Sequence, residues 1–272
     1  MLDEAVDLVS RGVPGWAGFL ALVSLPLRFC EVHLWNRLAQ LGSGARAVTG
    51  HVTAISWLVT LALLPALWGR AVFVRACLRE LSGAAHQTVV RTPLRQRLRP
   101  AGFATYLYTA LVFESIFFAL GWTIVAIPLL AVLTGLAAAT SAMPEASEPP
   151  GLLASPLRVL RHARPPVTLI ALTFVFTVAL LVAFLNLTAL FWLVLALGDG
   201  TAGLDLSWWK GALSWDNRPF VLLLLAGAIT VVEPFWLAAL TLVVRRLRAR
   251  QSGEDLAAWL AALRAEHAEE AA

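Results

Sequence analysis

The chain has 272 residues, of which 59% are hydrophobic and 14% charged, with a formal charge of +4. Soluble domains carry about a quarter charged residues. This composition, with a mean hydropathy of +0.77, therefore excludes an ordinary soluble domain and points to a chain solvated by lipid. The positive balance comes from 20 arginines and one lysine, Lys210. It does not require nucleic acid as a partner, because in a membrane protein such residues mark cytoplasmic loops.

The opening "MLDEAVDLVSRGV" is acidic where a cleavable signal would be basic. It predicts an amphipathic helix along the membrane surface, with Leu2, Val6, Val9 and Val13 on one side and Asp3, Asp7 and Arg11 on the other.

A span needs about 20 apolar residues. The segments 51–69, 167–197 and 220–244 meet this condition, and 14–35 meets it with Arg28 and Glu31 near its end. Arg28 is expected to snorkel to the headgroups. Residues 102–139 are too long for one straight span. The basic clusters lie over 70–99, at Arg158, Arg161 and Arg164, and over 245–250. The positive-inside rule assigns all three to the cytoplasm. A hairpin of two short helices breaking near Gly121 satisfies this; one long tilted helix kinked at Pro128 would not.

The expectation is an all-α, polytopic helical membrane protein with about six transmembrane helices and amphipathic cytoplasmic helices at both ends. The whole chain, 1–272, then forms one membrane domain. A faint repeat pairs 61–81 with 229–250 on Pro65 and Pro234, and suggests two halves, 1–139 and 155–272. The Pro- and Ser-rich segment 140–154 would join them as a flexible loop. On the outer side, Trp208, Trp209 and Trp215 fit an interfacial belt. After the last span, 251–272 predicts a cytoplasmic amphipathic tail with Leu256, Trp259, Leu260 and Leu263 in one stripe.

No catalytic motif, phosphate loop or metal-ligand spacing is present, so the chain implies neither an enzyme nor a cofactor or metal. Cys30 and Cys77 fit as unpaired packing residues. The intramembrane polar candidates are Glu114, Asn186 and Glu233, with His51 at a span end. A mid-bilayer charge costs about 2.5–3.5 kcal/mol on insertion scales, so Glu233 demands a partner or a proton. Arg70 and Arg75 are its candidate partners. Pro234 predicts a kink that frees the Thr230 carbonyl, which a protonated Glu233 or a side chain from another helix could serve. Asn186 points to an interhelical hydrogen bond. Small residues at Ala131 and Gly135, and at Gly15 and Gly18, would let helices approach closely. Arg70, Arg75, Arg79, Arg245, Arg246 and Arg248 form the cytoplasmic basic set.

Glu233-Pro234, Arg245-Arg246 and "GEDLAAWLAAL" (253–263) resemble the tail of a group of uncharacterised bacterial inner-membrane proteins. The genes of that group lie beside those of transglutaminase-like membrane proteins and MoxR-type ATPases. "DEAVDLVSR" (3–11) and "LWGRAVFVRACLRELSG" (67–83) are similar to the group's start and first basic exit. Gly253 stands where the tail of the group usually has an aromatic. The resemblance implies a multi-pass inner-membrane protein of an envelope assembly, and brings no catalytic residues with it.

The functional expectation is a non-catalytic scaffold or subunit, with both termini cytoplasmic. Its partners would be the lipid bilayer and other membrane proteins or a homo-oligomer, with no nucleic acid. The alternative is a small transporter or permease subunit using the intramembrane carboxylates.

Overall fold

The computed structural model describes residues 2–41, 48–81, 111–112, 132, 134–136, 138–139, 166–202 and 207–252. Among these residues there is no strand. The elements are α1 (Leu2–Asp7), a π-helical turn (Leu8–Gly12), α2 (Pro14–Leu41), α3 (Val48–Leu81), α4 (Pro166–Ala202), α5 (Ser207–Ala212) and α6 (Arg218–Ser252).

Four helices are long and apolar enough to cross a membrane: Pro14–Leu34, Ala54–Leu81, Ile170–Gly198 and Arg218–Leu247. They answer to four of the expected segments. The second runs past Arg70 to Leu81, whereas the sequence pattern ends that span at 69. The 102–139 hairpin falls mostly outside the described residues, as do the loop 140–154 and the tail beyond Ser252.

Lipid tails are as apolar as leucine, so helices in a bilayer are held by close packing and polar contacts rather than by the hydrophobic effect. Small residues mark where this packing occurs. An added Cβ at Gly69 of α3 would collide with Val23 of α2. Ala226, Ala228, Ala238 and Ala239 of α6 are all buried. Gly135 lies against Leu237 and Leu240 of α6, as its lack of a side chain allows. Gly15 and Gly18 meet nothing within 4 Å of where a Cβ would be, so that expected contact is not made.

The helices alternate in direction. Phe19 near the start of α2 meets Trp68 near the end of α3, edge to face at 5.4 Å. Phe176 near the start of α4 lies 4.8 Å from Trp236 of α6, and Phe191 lies 5.4 Å from Phe220. The N-terminus, the end of α3, the start of α4 and the end of α6 therefore gather at one end of the bundle. Trp215 lies at the other end, exposed, with its ring against Phe184.

The N-terminal segment does not present the expected stripe. Ala5, Leu8, Val9 and Val13 are buried, while Leu2 and Val6 are exposed. The reason is the π turn: the Val13 N–H donates to the Leu8 carbonyl, five residues back, at 2.9 Å. One extra residue in that turn rotates the register and brings Leu8 inward with Val9 and Val13. The segment packs on the protein in a core cluster with α3 and α6.

Candidate functional site

The site is built from three helices, each with a proline near its charge. Pro26 precedes Arg28 on α2, Pro65 precedes Arg70 on α3, and Pro234 follows Glu233 on α6. Each proline removes one backbone N–H from its helix. All three helices are nonetheless continuous in their assignment.

Glu233 points from α6 towards both α2 and α3. Arg70 Nε donates to Glu233 Oε1 at 2.5 Å, and Arg28 Nη2 donates to the same oxygen at 3.3 Å. Arg28 Nη1 donates to Glu31 Oε2 at 2.6 Å. The four side chains are between 1% and 8% exposed, so this is a dry cluster rather than a surface one. Among the described residues the cluster joins two arginines and two glutamates. Such a set is tolerated in low dielectric only because every charge has an opposite neighbour in hydrogen-bonding geometry.

Several expectations resolve here. Glu233 has Arg70 as a partner, one of the two arginines named from sequence. Arg75 lies further along α3 and is half-buried. Arg28 does not snorkel; it is buried in the bundle and bridges Glu31 to Glu233. Arg70, placed by sequence in the cytoplasmic basic set, lies inside the second candidate span and is buried. Its burial is possible because Glu233 neutralises it. A protonated Glu233 serving the Thr230 carbonyl is not what the side chain does, since its carboxylate is held by two guanidiniums. The Thr230 hydroxyl donates to the Ala226 carbonyl at 2.8 Å.

The sequence reading missed Arg28 and Glu31 as cluster members. Their signal was present: opposite charges three residues apart within an apolar helix form a pair that can go inward together. Glu114 and Ala131 lie outside the described residues. His51 and Arg248 fall on α3 and α6, but their side chains lie outside the description. Asn186 is not near the cluster; it is exposed on α4. Arg79 is half-buried on α3, and Arg245 and Arg246 are exposed. Cys30 and Cys77 are free. Among the described residues, no three His, Cys, Asp or Glu side chains gather as a metal group.

At the end of the bundle where both basic exits meet, a cleft of about 760 Å³ opens between the N-terminal segment, α3 and α6. Glu4, Asp7, Arg11, Glu80, Arg245 and Arg246 line it. Arg246 Nη2 donates to both carboxylate oxygens of Glu4 at 2.8 and 2.7 Å, and Arg11 pairs with Asp7 at 3.0 Å. This surface carries charge of both signs, in contrast to the dry interior.

The fold and the cluster define a helical membrane protein whose core is cross-linked by buried ion pairs. Compared with known proteins, the chain matches no family model, no curated protein and no solved structure.

Proposed function

We propose that the chain is a non-catalytic integral component, a scaffold or subunit, of a bacterial envelope assembly in the inner membrane. The observation that carries this reading is the buried ionic cluster that joins α2, α3 and α6. Glu233 Oε1 accepts from both Arg70 and Arg28 in a packed interior. A side chain held in this way fixes three helices in register, which suits a rigid platform. The mixed-charge cleft at the end of the bundle then offers a contact surface for a soluble or peripheral partner.

The transporter alternative needs Glu114, Asn186 and Glu233 along one polar passage. Glu233 faces the core and Asn186 faces outward on α4, so these two do not line a common path. In our reading Asn186 serves association instead.

The proposed topology has six spans and both termini in the cytoplasm. It rests on the direction of the described helices and on the arginines. The end of α3 and the start of α4 lie at the same end of the bundle, which supports an even number of crossings between them. A two-helix hairpin within 102–139 meets that condition, and a single long helix does not. The exits carrying Arg79, Arg245 and Arg246 share this end, which the positive-inside rule assigns to the cytoplasm. The resemblance of the tail to inner-membrane proteins encoded beside MoxR-type ATPases agrees with this placement.

Affinity purification of the full chain in mild detergent tests the reading. A stoichiometric membrane or ATPase partner is expected. A chain recovered with no stoichiometric partner from its own membranes would overturn it.

A further inference from the structure

We infer that α4 is the surface through which two copies of this chain pair in the membrane, with Asn186 bonded to the same residue of the second copy. The inference deepens the proposal above and rests on its reading of the chain as an assembling membrane component.

The first observation is the one-sided burial of α4. Only 11% of its most apolar window is buried, against 39%, 50% and 61% in the other three candidate spans. Phe176, Leu187 and Phe191 face α6. On the opposite side run Val182, Asn186, Ala189, Leu193 and Ala196, spaced by four, three, four and three residues, and all exposed. That alternation has the spacing of a heptad seam, the pattern by which one helix lies along another.

The second observation is Asn186 itself. It lies near the middle of the Ile170–Gly198 span, and among the described residues nothing hydrogen-bonds its amide. Lipid tails offer no donor or acceptor, so a bare amide at that depth is costly. The side chain is too short to reach the headgroups.

The occupant follows from the chemistry of the amide. Asparagine carries both a carbonyl acceptor and an N–H donor, so it complements itself across a two-fold axis. A single asparagine in an apolar seam fixes register and partner number in this way. Ala189 and Ala196 bring the two backbones close enough for the amides to meet. The chain's own described residues at 132–139 do not cover the seam. They pack on α6 beside Leu237 and Leu240, in the cluster that holds Leu172 and Phe176 from the first turns of α4.

Purified full-length chain, labelled with donor and acceptor dyes and reconstituted in phosphatidylcholine vesicles, provides the test. Energy transfer above random proximity, falling as lipid is added, is expected for the wild type. Asn186→Leu should weaken self-association about 3- to 30-fold, the range for interhelical amide bonds in membranes. In native membranes, Ala189→Cys should form an oxidised dimer. Leu190→Cys, roughly a quarter turn off the seam, should not, with the wild-type chain as the blank for Cys30 and Cys77. A monomeric wild type, an Asn186→Leu chain that pairs equally well, or equal cross-linking at 189 and 190 would each overturn the inference. A wild type that is monomeric in pure lipid yet still co-purifies with other envelope proteins sinks the pairing and leaves the assembly reading standing. Pairing through the seam with no other partner does the converse.

Discussion

Two neighbouring helices, α4 and α6, are similarly apolar, with mean hydropathies of 2.5 and 2.1, yet they occupy opposite situations. α6 is surrounded on several sides and carries Glu233 into a cluster with α2 and α3. α4 touches α6 along one face and turns most of its surface, including Asn186, outward. Apolarity therefore does not decide which helix is interior, because lipid solvates a leucine as well as a protein core does. The kind of polar group decides. A full charge in hydrocarbon must go inward to an opposite charge. A neutral amide can wait at the surface for another amide.

The sharpest way to break the contrast is to remove the charge that holds the interior. Glu233→Leu removes the carboxylate oxygen to which both Arg28 and Arg70 donate. Removing one member of a buried ionic set costs about 3–5 kcal/mol. The expected result is a chain that unfolds far more readily in a detergent denaturation series, or fails to insert. Asn186→Leu in the same series should leave unfolding of the dissociated chain nearly unchanged. If Glu233→Leu is as stable as the wild type, the cluster does not hold the three helices.

A second variant separates charge balance from geometry. Glu233→Leu combined with Arg70→Leu removes one charge of each sign and leaves Arg28 with Glu31. Replacing a buried pair by apolar residues is often close to neutral. The double variant should recover at least half of the stability lost by Glu233→Leu alone, measured in the same denaturation series. Equal or greater loss would mean that shape at Arg70, rather than its charge, is what the core needs.

How much of this was legible in the sequence depends on whether one residue or two were needed for the argument. Glu233 could be read alone, since a carboxylate in an apolar run must find a cation, and Arg70 was within reach of the pattern. Arg28 could not, because a single arginine near a span end has a cheap escape by snorkelling. Only with Glu31 and Glu233 together does inward burial become the better solution. The register of the N-terminal segment was hidden for another reason: a period of 3.6 cannot anticipate a π turn at Leu8–Gly12. Gly135 and Gly18 look alike in sequence. A small residue only permits close approach; whether a neighbour takes it is set by the helix opposite.

That last point gives a test of intermediate size. Gly69→Ala would drive a methyl group into Val23, whose branched side chain has little freedom to move. Overpacking of this kind costs about 1–3 kcal/mol, and should lower the apparent Tm of the purified chain. Gly18→Ala adds its methyl where nothing lies within 4 Å, so it should be neutral or slightly stabilising through the entropy of the unfolded chain. Equal effects at the two glycines would remove the distinction between the packed and open faces of α2 and α3.

The smallest effect belongs at the wet end of the bundle. Glu4 and Arg246 make a two-pronged ion pair, but both side chains are about half exposed. Exposed pairs contribute at most about 1 kcal/mol and are screened by salt. Glu4→Gln should therefore change the Tm by little at low ionic strength and by nothing measurable at high salt. The consequence to look for is local: loss of the pair loosens the first turn of α1 against α6, and amide exchange over residues 2–7 should rise while the bundle core stays protected. A large, salt-independent loss would mean that Glu4 does more than make a screened surface pair.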